Sequence, residues 1–124
     1  MPASIEAVTT AALSAAMEAS IRRHTAVAAN IANVHAEDYV PLRVSFDARL
    51  EEARGALRDG GLLEAGWVDA LRGRLQADPD AAQPVQVDMQ MSEMARNTVH
   101  FQALTQAVSR HLAMLALAAA DGRK

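Results

Sequence analysis

Four histidines (His24, His35, His100 and His111) and two adjacent carboxylate pairs (Glu37–Asp38 and Glu51–Glu52) are the residues of this chain best suited to chemistry. A metal centre between helices takes a Glu-x-x-His motif on each of two helices, with further glutamates turned inward. Neither Glu-x-x-His nor His-Glu-x-x-His occurs in the sequence. His24 and His111 fall on or beside apolar rows, so a facing pair is the one metal arrangement open to them. A histidine packed in a seam with a single hydrogen-bond partner is the simpler expectation. General acid–base work needs carboxylates in a cleft with perturbed pKa values. Here one pair sits in a turn and the other on a polar helical face. The glycine-containing stretch "DGGLLEAG" lacks the lysine and the preceding strand of a phosphate-binding loop. With no cysteine in the chain, nucleophilic thiols and thiolate metal sites are excluded. The residues therefore predict no enzyme, no catalytic or metal-binding residue and no cofactor.

Composition narrows the class further. The 124 residues carry a formal net charge of -3, and eleven of the twelve basic residues are arginine, spread along the chain. Without a basic stripe, nucleic acid is not an expected partner. Hydrophobic residues make up 51% but aromatics only 3%, and 28 positions are alanine. Such a chain favours helices in close approach over a thick core of large side chains. No window is long and apolar enough to suggest a membrane span, and the first ten residues, "MPASIEAVTT", lack the pattern of a cleaved secretory signal.

The elements that would position any site are two long helices flanking a different middle, together one all-α domain over residues 1–124. The first helix is expected over 4–34, with Ser4 as N-cap and Glu6 in the first turn. Met17, Ile21, His24, Ala28 and Ile31 follow one another at coiled-coil steps of four, three, four and three. At 1.5 Å per residue this helix would be ~46 Å long, beyond the usual globular helix. The second is expected over 88–119, capped by Asp88, with Met91, Met94, Phe101, Leu104, Val108, Leu112 and Leu115 on one stripe. The two helices are expected to pack as a coiled-coil-like hairpin. The middle, 35–87, holds three of the four prolines and five of the six glycines. It predicts a short helix capped by Ser45 (Phe46, Leu50, Ala53 and Leu57), a second within 62–76 weakened by Gly66 and Gly73, and no strand.

Two polar positions stand out against this pattern. Asn33 is placed to end the first helix, with Asn30 beside the Val27–Ile31 row. Asn97 falls inside the apolar stripe of the last helix, where a lone asparagine fixes register at a cost in stability. On that reading, leucine at 97 should strengthen helix association. The methionine-rich start of the last helix, Met89, Met91 and Met94, predicts adaptable packing.

Two stretches carry a family resemblance. "ANIANVHAEDYVPLRVSFDARL" (29–50) resembles the signature of bacterial flagellar rod/hook axial proteins, in which "NIAN" precedes "NTPGY" and an acidic-aromatic run. "VDMQMSEMARNTVHFQALTQAVSRHLAML" (87–115) resembles the closing helix of the proximal rod proteins of that family, through Val87, Asp88, Glu93, Met94, Ala95, Asn97, Phe101, Gln102, Ala103, Leu104, Ser109, Arg110, Met114 and Leu115. Departures fall after the first long helix and before the last: Glu37–Asp38 stand where the family has Pro-Gly, His35–Ala36 replace Asn-Thr, Pro41 is added, and "AAQPVQ" stands where an Asp-Gly-Asn turn often precedes the last helix. Aspartate tolerates a left-handed backbone better than most residues, so the sequence permits a similar turn, at some strain, without fixing it.

The resemblance implies a structural subunit of the basal-body rod, the periplasmic drive shaft that transmits torque. It implies export by the flagellar type III system through an uncleaved signal. Implied partners are other copies, neighbouring rod proteins, and the rod adaptor with the export-gate and membrane-ring proteins. No small-molecule substrate is implied. The expected assembly interface is Leu13, Met17, Ile21, Val27, Asn30, Ile31, Asn33, Tyr39, Met94, Asn97, Phe101, Leu104, Val108, Leu112 and Leu115. The competing expectation is a small helical adaptor or export chaperone that binds a partner helix and never polymerises.

Overall fold

The computed structural model describes residues 5–46, 51–52, 55, 58–60, 65–81 and 84–123. Helix α1 spans Ile5–Ala32 and is followed by strand β1 (Leu42–Ser45), helix α2 (Ala65–Ala70), strand β2 (Arg74–Ala77) and helix α3 (Val87–Asp121). The two long helices lie antiparallel, as the pairs Thr10–His111, Ser20–Asn97 and Asn30–Gln90 show. At 1.5 Å per residue α1 is ~42 Å long and α3 ~52 Å. The long helical hairpin with a small middle region is the architecture expected from the apolar spacing.

The details differ at the ends and in the middle. Ser4 lies outside the described residues, as do Leu50, Ala53 and Leu57. The N-cap of α3 is Gln86, in extended backbone and without a side-chain cap bond, and Asp88 sits inside the first turn. There its charge complements the helix dipole without capping it. Ser45 ends a strand, and residues 47–50 beyond it lie outside the described residues. Leu42–Ser45 pairs antiparallel with Arg74–Ala77, Leu42 opposite Ala77 and Ser45 opposite Arg74. Two four-residue strands so far apart in sequence are too short to show a period of two, so only the ladder reveals them.

Helix α1 packs on two sides, and its most deeply buried residues are not those of the heptad row. The buried residues of α1 are Ala15, Ala19, Ser20, Ala26, Val27 and Asn30. At 100° per residue the three alanines lie roughly opposite the Met17–Ile21–His24–Ala28–Ile31 row. That alanine side meets the middle region. Arg22 Nη1 donates to the carbonyls of Arg72 (2.8 Å) and Gly73 (3.3 Å), and Arg72 ion-pairs with Glu18 at 2.8 Å and with Asp69. Val68 and Ala70 of α2 are buried in the same layer. The side bearing Ser20 and Thr10 meets α3. Helix α1 is thus enclosed from two sides, whereas α3 touches no other described element than α1. Small residues won the buried face because short side chains let a hairpin and a helix approach one cylinder closely.

Gly73 shows how tight the join is. Its φ is +68°, and a Cβ there would lie 2.5 Å from Val44 Cγ1 and 3.2 Å from Phe46 Cε1. Gly73→Ala should cost about 1–3 kcal/mol in a urea titration, from left-handed strain plus crowding. Gly60, at φ +80° with open space around it, isolates the strain alone. Equal losses for Gly60→Ala and Gly73→Ala would show that the contact with Val44 has no energetic weight.

Candidate assembly interface

Two buried asparagines organise the hairpin. Asn97 Nδ2 donates to the Ser20 carbonyl (2.8 Å), and Ser20 Oγ donates to Asn97 Oδ1 (2.9 Å). Both residues are buried, and Asn97 is the one buried residue of α3 among those described. Asn97 therefore bonds across the seam between two helices of the same chain. Its partner Ser20 carries no sequence signal beyond being a small polar residue in an alanine-rich run.

Asn30 lies inside the last turns of α1 and makes four hydrogen bonds. Its Nδ2 donates to the Leu42 carbonyl (3.0 Å) and to Gln90 Oε1 (3.1 Å). Its Oδ1 accepts from the Leu42 amide (2.8 Å) and the Tyr39 hydroxyl (2.9 Å). Two donors and two acceptor positions are thereby all used. The bond from the Asp78 amide to the Pro41 carbonyl (2.7 Å) fixes which groups of β1 face β2. Leu42 then turns both its backbone groups outward, alternating as antiparallel ladders do. The Asn30 carboxamide meets that outward pair as a third strand's peptide group would. One side chain therefore joins α1, β1, the turn before it and α3.

Asn33 ends the helix as its type predicts: its backbone amide and its Nδ2 both donate to the Ala29 carbonyl, at 3.1 and 2.8 Å. In the turn that follows, Asp38 has φ +57°, the left-handed conformation expected where the resembling family has glycine. Tyr39 is half-buried, and desolvation raises its hydroxyl above the ordinary tyrosine value. A raised acid pKa means the neutral form is favoured on folding. Its contribution is present below the unfolded value of about 10 and is lost as pH rises through the higher folded value. Tyr39→Phe should cost about 1 kcal/mol at neutral pH and flatten the alkaline limb of a stability–pH profile. An unchanged alkaline limb would remove Tyr39 as its source.

The other expected interface residues divide by exposure. Val27 is buried. Leu13, Met17, Ile31, Met94, Phe101, Leu104, Val108 and Leu115 are half-buried along the contact. Ile21 and Leu112 stand out, 54% and 51% exposed. His111 Nε2 meets Thr10 Oγ1 at 3.0 Å. His24 is exposed beside Ser20 and lies fourteen residues along α1 from Thr10, ~21 Å at 1.5 Å per residue. The two histidines therefore do not face each other, which removes the helical metal pair. Among the described residues no group of three or more His, Cys, Asp or Glu side chains could hold a metal ion.

On the open side of the hairpin a cleft of about 290 Å³ is lined by Ser20, Ile21, His24, Asn97, Thr98 and Phe101. Its polar residues are largely spent. Ser20 and Asn97 bond each other, and the Thr98 hydroxyl donates to the Met94 carbonyl (2.9 Å). Thr25 and Thr105 likewise return their hydroxyls to the carbonyls of Ile21 and Phe101. A threonine used this way presents its methyl group, so a surface that reads as mixed in sequence is apolar in structure. The arrangement suits packing against another apolar helix. No family model, no curated protein and no solved structure matches this chain.

Proposed function

We propose that this protein is a structural subunit of the bacterial flagellar basal-body rod, polymerising through its terminal helices into the periplasmic shaft that transmits torque. The observation that carries the reading is where the large apolar side chains lie. Ile5, Ile21, Met89, Met91, Val99, Leu112, Met114 and Leu117, all on the two long helices, are exposed, while the buried face of α1 is built from alanine, serine, one valine and an asparagine. Large apolar side chains concentrated on long helices mark surfaces meant for other chains. The resemblance of residues 29–50 and 87–115 to the axial proteins supplies the identity of the assembly. Contacts between identical subunits that do not close on themselves generate filaments.

The reading is tested in the source cell. Isolated hook–basal bodies should contain this chain, and deleting its gene should stop rod assembly and motility. Basal bodies of normal length that lack the chain would sink the proposal. A stable closed dimer that never enters basal bodies would favour the adaptor reading instead.

A further inference from the structure

We infer that the apolar cleft between α1 and α3 receives the carboxy-terminal end of α3 from a second copy of this chain. The inference rests on the self-assembling reading above and names the contact through which it works. The cleft has no aspartate, glutamate, lysine or arginine in its lining, and Ser20, Asn97 and Thr98 are bonded within the chain. The one titratable side chain of the lining is the exposed His24, and the rest suits an apolar occupant that brings no charge of its own.

The chain carries such an occupant. From His111 to Ala120, "HLAMLALAAA", there is no aspartate, glutamate, lysine or arginine, and Leu112, Met114 and Leu117 are 51%, 63% and 64% exposed. At 100° per residue these three side chains spread around the helix, so the end of α3 is apolar on more than the side that meets α1. His111 lies opposite Thr10, close to the start of the described α1, so the last turns of α3 reach past it. The segment cannot fill its own cleft. Thr98 and Leu117 are nineteen residues apart on one continuous helix, ~28 Å at 1.5 Å per residue.

The contact is head-to-tail, since cleft and end are different surfaces, so each copy can take the next, and the rod reading needs the form that does not close. A ten-residue helical end offers less than the ~1,200–2,000 Å² that stable pairs bury. Single pairs are then short-lived, and the contact holds when many subunits share a lattice.

The natural chain has no cysteine, so single introduced cysteines report the contact cleanly. Chains carrying Thr98→Cys and chains carrying Leu117→Cys are mixed at high concentration and oxidised, and the same pair is expressed in cells that build the rod. The expected result is a T98C–L117C disulfide dimer as the main product. Ile21→Asp in the T98C chain should abolish it without shifting the helical melt. Val99→Cys, on the opposite side of α3, should form no link to L117C. Dominant T98C–T98C dimers would mean cleft-to-cleft pairing and overturn the inference. So would cross-links from T98C to a different protein, or incorporation into rods with no T98C–L117C link. Loss of rod incorporation with the link intact defeats the rod reading and leaves this contact standing.

Discussion

Replacing Asn30 with alanine should destabilise the fold by about 3–5 kcal/mol, a large share of the ~5–15 kcal/mol typical of a domain. Four hydrogen bonds disappear together: two to Leu42, one from Tyr39 and one to Gln90. Each contributes about 0.5–1.5 kcal/mol net, and a buried group left without a partner costs about 1–3 kcal/mol. The sum is not additive, because the four bonds share one carboxamide and relax together. Asn30→Asp separates shape from hydrogen bonding. It keeps the two acceptor contacts but replaces the donating nitrogen by an acceptor oxygen that faces the Leu42 carbonyl and Gln90 Oε1, in a site 3% exposed. Its loss should equal or exceed that of alanine at neutral pH. The measurement is urea unfolding with the denaturant slope unchanged, together with amide exchange at Leu42, which should accelerate in both variants. A loss below about 1 kcal/mol for either variant would mean that water replaces the carboxamide and that the four-element join is not structural.

Asn97→Leu should lower stability by about 2–4 kcal/mol. In a purely apolar seam, leucine would strengthen helix pairing, as the stripe around Asn97 alone suggests. The sign reverses because the facing residue is Ser20, whose hydroxyl and carbonyl both bond Asn97. Leucine leaves that buried hydroxyl without its partner and pushes a branched side chain against a face built from alanine and serine. Adding Ser20→Ala to Asn97→Leu should recover about 1 kcal/mol or more, a coupling that a double-mutant cycle reads directly. Strict additivity of the two changes would show that the pair does not set the register between α1 and α3.

The two long helices were legible because a 3.6-residue period over about thirty positions outweighs local noise. The turn at Asp38 was only half legible: aspartate permits a positive φ, but its type alone did not fix the turn that the structure shows. That α1 packs on two sides was not legible. Spacing arguments weight large side chains, so they select the row from Met17 to Ile31, whose side meets α3. The chain also buries the side where alanines let the middle region come close, and leaves Ile21 half in solvent. Asn30 reads from sequence as a polar residue on the flank of an apolar row near the end of the helix. Its role as a join depends on Leu42, Tyr39 and Gln90, positions that nothing local links to it. The ladder between 42–45 and 74–77 escaped for the same reason: its partners are remote, and each strand is four residues long. Ser20 and Gln90 had no signal at all, being ordinary polar residues until something stands opposite them.

The ladder has a thermodynamic consequence for everything it encloses. Ser45 and Arg74 sit opposite each other, so the chain between them leaves the frame and returns to the same place. The entropy of closing such an excursion grows only with the logarithm of its length, so doubling it costs about 0.6 kcal/mol. Among the described residues its attachment runs through Val68, Ala70 and the Arg72 contacts near its return. The turn at Asp59–Gly60 is exposed. Added residues there lengthen a loop whose mouth is already tied, and the register of the long helices does not pass through them. The frame and the excursion are in this sense free to change at different rates, one held by fixed partners across a seam, the other limited mainly by the knot at its neck.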